Sequence, residues 1–215
     1  MSDGYQILDL ATVESFPYHQ RNGQKLLPIQ QLLDYRVAGI NGWIGDPGEP
    51  LVPKHAEDSD NEELYVVVRG HATFTIDGRE IDAPEGTLLH LQPGEEREAV
   101  SKAPGTIIVA IGATIGQAYE PQGWTSFVMA DHYRRVGRID EGRAAIRAMI
   151  AAHPGAWHAP YNAACYEALA GDADAAFELL QQAQQIDTQG VRKFAAGDSD
   201  LESLHDDPRW KKVVG

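Results

Sequence analysis

Six residues in the N-terminal half carry most of the chemistry this chain could perform: His55, Glu57, Glu63, Tyr65, His90 and Arg97. Imidazoles and carboxylates ligate metal ions and move protons, a phenol donates a hydrogen bond or serves as an acid, and a guanidinium receives carboxylate or phosphate. Two readings of Arg97 are open. It pairs internally with Glu63 or Glu57, or it receives the anionic group of a small ligand. It cannot itself coordinate a cation, because a guanidinium stays protonated and offers donors only. Metal-free acid–base chemistry would need a histidine held by a carboxylate and an opposing acid within hydrogen-bond reach.

These residues sit in a stretch that reads as strands, from about Tyr35 to Ile111. Leu64 to Val68 is rich in β-branched residues, and Ala72 to Ile76 alternates apolar with polar. Asp77 and Gly78 form a short hairpin signal, since a tight turn there needs positive φ. Thr87 to Leu91 lies between turns at Ala83 to Gly86 and Gln92 to Gly94, and Thr106 to Ile111 is a last, largely buried strand. Short strands between Gly/Pro turns, with no helix among them, predict an antiparallel sandwich or barrel. Alternation places Tyr65 and Val67 on the face of Glu63, and His90 on the face of Leu88.

After Gly116 the periodicity becomes helical. Gly137 and Gly171 lie 34 residues apart, as do Gly142 and Ala176, Ile146 and Leu180, Met149 and Ala183, and Ala130 and Ala164. The expected organisation is an N-terminal extension packing on the barrel (1–34), the barrel (35–116), a linker (117–123) and a helical segment (124–215). In its tail, Asp207 and Pro208 predict a helix start, and Trp210 would cover the end of the second helical pair.

Two resemblances follow. Glu63 to Gly70 matches the E-x6-G end of the first cupin motif, and Gly78, Pro84 and Gly86 match the G-x5-P-x-G opening of the second. This resembles the cupin family over roughly residues 35–115. It implies a double-stranded β-helix (a jelly-roll barrel), a pocket inside it, and a homodimer. In metal-dependent cupins the first motif carries H-x-H ahead of the glutamate, and the second adds a histidine after a Pro-Gly turn. Here His55, Ala56 and Glu57 stand at the H-x-H position, with a one- or two-residue insertion before Glu63. Arg97, following Pro93 and Gly94, stands where the third histidine belongs. The ordinary metal site is therefore not expected, and no cofactor is implied. Glu57 could still ligate, and His90 could supply a replacement imidazole if its face lines the pocket. The 34-residue period, with small residues at fixed offsets, resembles tetratricopeptide (TPR) repeats, which implies an assembly or protein-partner surface. The second copy departs from the first by Glu167 in place of Tyr133 and Thr188 in place of Pro154.

Composition narrows the function. The 18 basic and 32 acidic side chains give a net charge of -14, which would repel nucleic acid and acidic membranes. No apolar run approaches the ~18 residues of a membrane span, and no signal peptide precedes the barrel. One cysteine, Cys165, excludes an internal disulfide and a cysteine-built zinc site, so a cytoplasmic setting is expected. The acidic run Glu57 to Glu62 lacks the glycine and distant glutamate of a calcium loop. No phosphate loop or nucleophile elbow occurs. The leading reading is a cupin-like small-molecule-binding or regulatory module with a TPR-like segment, without catalysis. The alternatives are a divergent metal-dependent oxygenase or isomerase using His55, Glu57, Glu63 and His90, a metal-free acid–base epimerase, and a barrel that serves only as a dimerisation scaffold.

Overall fold

A computed structural model describes residues 6–18, 24–57, 60–119 and 123–215. Asp58 and Ser59 of the acidic run, and residues 120–122 of the expected linker, lie outside the described residues. The chain forms two compact units, Met1–Pro121 and Gln122–Gly215.

The first unit is an antiparallel sandwich. Its strands are β1 (Phe16–Tyr18), β2 (Gln24–Leu27), β3 (Gly39–Gly45), β4 (Pro50–His55), β5 (Asn61–Arg69), β6 (His71–Ile76), β7 (Arg79–Pro84), β8 (Leu88–Leu91), β9 (Arg97–Ser101) and β10 (Thr106–Thr114), with a short helix α1 (Ile29–Leu33) after β2. One sheet has the order β1-β2-β3-β10-β5-β8, the other β4-β9-β6-β7. The six-stranded sheet thus begins at Phe16, ahead of the region the strand pattern marks out. Strand β2 pairs with β3, and Ile29 of α1 with Leu8, Leu10 and Val13 covers the outer side chains Ile107, Val109 and Ile44. That cover explains why β10 reads as apolar on both faces.

Between the sheets pack Tyr65, Val67, Leu89, Leu91 and Ile108 from one side and Ala72, Phe74, Ala99 and Leu51 from the other. Tyr65 meets Phe74 edge-on at 5.5 Å. The Asp77 and Gly78 turn joins β6 to β7 with φ of 48° and 77°. Gly70, at the end of the Glu63 to Gly70 motif, has φ of 81°, and a Cβ there would press on Thr106 at 2.7–3.2 Å. Only glycine satisfies both constraints.

The second unit is helical: α2 (Trp124–Arg135), α3 (Ile139–Ala152), α4 (His158–Ala170), α5 (Ala173–Ile186), α6 (Thr188–Ala195), a 3-10 turn (Ser199–Leu204) and α7 (Trp210–Val214). Helices α2 and α4 start 34 residues apart, and α3 and α5 both start and end 34 residues apart. Gly137 and Gly171, at the two hairpin turns, have φ of 80° and 84°. Ala130, Ala163, Ala164, Ala176 and Ala183 are fully buried, so the helix pairs approach closely at alanines. At Gly142 a Cβ would collide with the Tyr166 hydroxyl and stand 3.0 Å from the Ala130 carbonyl. Glu167, the departure from Tyr133, is held by Arg143 at 2.8 Å. Thr188 opens α6 directly and donates its hydroxyl to the Gln184 carbonyl at 2.8 Å, where the first copy breaks at Pro154. Helix α7 begins at Trp210, two residues later than the Asp207 and Pro208 signal suggests. Asp207 instead accepts the Arg209 backbone N–H at 2.9 Å in the preceding turn. Trp210 is buried in the cluster of Phe177, Leu180 and Ala183. Among the described residues no helix is long and apolar enough to cross a membrane.

Candidate functional site

Strand β5 turns Glu63, Tyr65 and Val67 toward the second sheet, because alternate residues share a face and Tyr65 and Val67 are buried there. Strand β9 supplies Arg97, only 1% exposed, and β4 ends at His55, the direct cross-strand partner of Arg97. Five of the six residues singled out in the sequence therefore meet across the sandwich. Their centre is one oxygen. Glu63 Oε2 accepts Nη2 of Arg97, Nε of Arg97 at 3.1 Å and the Tyr65 hydroxyl at 2.6 Å. Arg97 Nη1 donates to the Glu95 carbonyl at 2.9 Å. Glu57 Oε1 lies 3.6 Å from Arg97 Nη2 and 3.6 Å from His55 Nε2.

Of the two readings of Arg97, the observed geometry is the internal pair. An anion could reach the guanidinium only by displacing Glu63. Burial opposes the charge on Arg97, but the hydrogen bonds and charge of Glu63 outweigh it and raise its pKa. Burial, and then the charge of Glu63, push the Tyr65 phenol well above its ordinary value, so Tyr65 is a standing donor to Glu63. The His55 Nδ1 lies 2.7 Å from the Pro53 carbonyl. A carbonyl only accepts, so Nδ1 donates to it, and Nε2 is the ring nitrogen turned toward Glu57.

His90 is not part of the cluster. On β8 the buried residues are Leu89 and Leu91, whereas Leu88 and His90 face outward, and His90 Nε2 lies 2.9 Å from Glu62. The shared face with Leu88 is as expected, but it is the outer one. A replacement imidazole from His90 is thereby ruled out.

The motif reading passes over two residues, one against the cluster and one on the same inner face. Gly112 is the cross-strand neighbour of Glu63, and a Cβ there would stand 3.2 Å from Glu63 Cγ; a glycine inside a strand is the sequence signal for such an approach. Asn41 lies in register with Ala110 and through it with Tyr65, so it faces the same interior. Its Oδ1 is buried, and among the described residues it has no hydrogen-bond partner.

The metal of the resemblance does not fit this arrangement. His55, Glu57 and Glu63 do offer ligand atoms within 4.8 Å of one another. The Glu63 oxygen that faces the cluster, however, already accepts three donors, and a dication would sit against a buried guanidinium.

Residues 47–107 match the AraC-like ligand binding domain, and no curated protein matches the chain. Solved structures with related backbones include a cupin protein from Bacteroides fragilis, at 20% identity over 56% of this chain and 92% of that one, with a TM-score of 0.42. A predicted oxalate decarboxylase from Thermotoga maritima shows 13% identity over 51% and 100% of the two chains, TM-score 0.42. A sugar phosphate isomerase of the cupin superfamily from Silicibacter pomeroyi shows 17% identity over 50% and 75%, TM-score 0.42. The first unit is a cupin-like β-sandwich, part of which resembles the AraC-like ligand binding domain, and a helical unit follows it in the chain.

Proposed function

We propose that the cupin-like unit is a metal-independent small-molecule-binding or regulatory module, and that the helical unit is a TPR-like segment for assembly or protein contact. The observation that carries the first half is the interior polarity. A barrel serving only as a scaffold would pack apolar groups there, yet this one holds a buried ion pair and, on the same inner face of the six-stranded sheet, an acceptor, Asn41 Oδ1, with no donor among the described residues. Leaving such an atom unsatisfied costs about 1–3 kcal/mol, which a bound molecule recovers. The ligand would enter at His55 and Glu57, whose side chains are 27% and 25% exposed. An anionic ligand would exchange with Glu63 for Arg97. The second half is supported by the 34-residue recurrence of helix bounds and of the two left-handed glycines. The homodimer that the resemblance implies remains part of this reading, and light scattering would test it.

A thermal-shift screen of small carboxylates, phosphates, amines and polyols tests the binding reading, because a ligand specific for the native state raises its unfolding temperature. At least one class should stabilise the wild-type chain, and His55→Ala and Asn41→Ala should abolish the shift. If no class stabilises it, or if both variants respond as the wild type does, the binding reading fails.

A further inference from the structure

We infer that the ligand of the sandwich interior is uncharged and carries a hydrogen-bond donor and an acceptor on separate atoms, as a carboxamide does. It meets the protein at a polar wall formed by Gln30, Tyr119 and Asn41, not at Arg97. The inference rests on the binding reading and gives that site its ligand chemistry.

Gly39 shares the inner face of β3 with Asn41, and its partner in register is Gly112, itself the cross-strand neighbour of Glu63. One inner row thus runs Gly39, Gly112, Glu63, and two of its three positions bear no side chain. Over Gly39 stands Tyr119, whose hydroxyl would lie 3.0 Å from a Cβ placed there. That hydroxyl donates to Gln30 Oε1 at 3.1 Å. Gln30 is only 4% exposed, and its Nε2 has no hydrogen-bond partner among the described residues. Asn41 Oδ1, two residues along β3 from Gly39, is a buried acceptor in the same state. The wall therefore holds a donor and an acceptor that the protein itself leaves unmatched, and unmatched buried groups are costly.

Charge and donor type select among ligands. Arg97 is already engaged by Glu63, and the sandwich unit carries 19 acidic against 8 basic residues, so an anion is opposed there. A carboxylate or phosphate also only accepts, which leaves Asn41 Oδ1 unmatched. An ammonium only donates, which leaves Gln30 Nε2 unmatched. A carboxamide presents an N–H and a C=O on one planar group and answers both.

The test applies matched pairs at high concentration to the full chain: acetamide with acetate, benzamide with benzoate, and nicotinamide with nicotinate, with glycerol as a hydroxyl probe. Unfolding temperature is read for the wild type, Gln30→Leu and Tyr119→Phe, each against its own ligand-free value, so a less stable variant still reports. At least one amide should raise the wild-type midpoint by about 1 °C or more beyond its carboxylate. Gln30→Leu should lose that rise, and Tyr119→Phe should weaken it. A carboxylate that stabilises as much as its amide overturns the inference while the binding reading stands. So does a response to glycerol alone, or an amide shift that survives unchanged in both variants. No shift with any of the three amides overturns it as well, and only a blank across the wider screen takes the binding reading with it.

Discussion

Each unit pairs an arginine with a glutamate, but at different depths. In the sandwich unit, 19 acidic and 8 basic residues leave a net charge of -11, and Arg97 with Glu63 lies in the interior. In the helical unit, 13 acidic and 10 basic residues leave -3, and the comparable pair, Arg143 with Glu167, sits at the edge with the Arg143 side chain 35% exposed. The helical interior is mostly alanine with aliphatic and aromatic side chains, among them Leu180, Tyr166, Phe177 and Trp210. A buried charge is costly unless paired, and only in the sandwich are both the arginine and the glutamate of the pair withdrawn from solvent to this degree. That difference is the reason the proposed ligand is assigned to the sandwich.

Four experiments would break or sharpen this contrast. The largest effect is expected at Arg97. Arg97→Ala leaves Glu63 without its counter-charge and should cost about 3–5 kcal/mol, confined to the sandwich unit. Replacing both partners, Arg97→Met with Glu63→Leu, should cost markedly less than the single change, because no buried charge is stranded. Urea unfolding followed at both units would show it; a cost below about 1 kcal/mol for Arg97→Ala would mean that the pair is solvated after all. Next comes Gly142→Ala, where overpacking against Tyr166 and Ala130 costs about 1–3 kcal/mol, partly offset by about 1 kcal/mol of helix propensity. At the equivalent position Ala176 is fully buried, so Ala176→Gly should destabilise through propensity and a small void. If Gly142→Ala is stabilising, the close approach to Tyr166 is wrong.

The edge pair should matter less. Arg143→Ala is expected to cost about 1 kcal/mol or less, and the difference should shrink as salt is raised. Smallest is the contribution of Asp207. The side-chain hydrogen bond from Arg209, and then its backbone N–H, hold this carboxyl down at about 2. A carboxyl depressed on folding contributes stability above its unfolded pKa and loses it as the pH falls toward the folded value. The stability gap between wild type and Asp207→Asn should therefore close between about pH 4 and pH 2. A gap independent of pH over that window would show that Arg209 does not hold the charge.

Some of this site was legible in advance. Glu63, Tyr65 and Val67 share an inward face as alternation requires, and the Asp77 and Gly78 turn lies between β6 and β7. His90 marks the limit: alternation groups it with Leu88, but which face turns inward depends on where the second sheet packs. The missed strands β1 and β2 have the same origin. They are three and four residues long, too short for a period to show, and their place comes from pairing onto β3.

By itself the sequence determined the order of a strand-built unit and a helix-built one, the 34-residue recurrence, and the exclusion of Arg97 as a metal ligand. Each follows from local chemistry: side-chain period, backbone freedom at glycine, and the protonation of a guanidinium. Only the tertiary structure decided that Arg97 closes on Glu63 rather than facing a ligand, that Glu57 and His55 stand beside it, and that His90 does not. Residues 34 positions apart on different sheets meet only through the packing of those sheets, and no local propensity encodes that meeting.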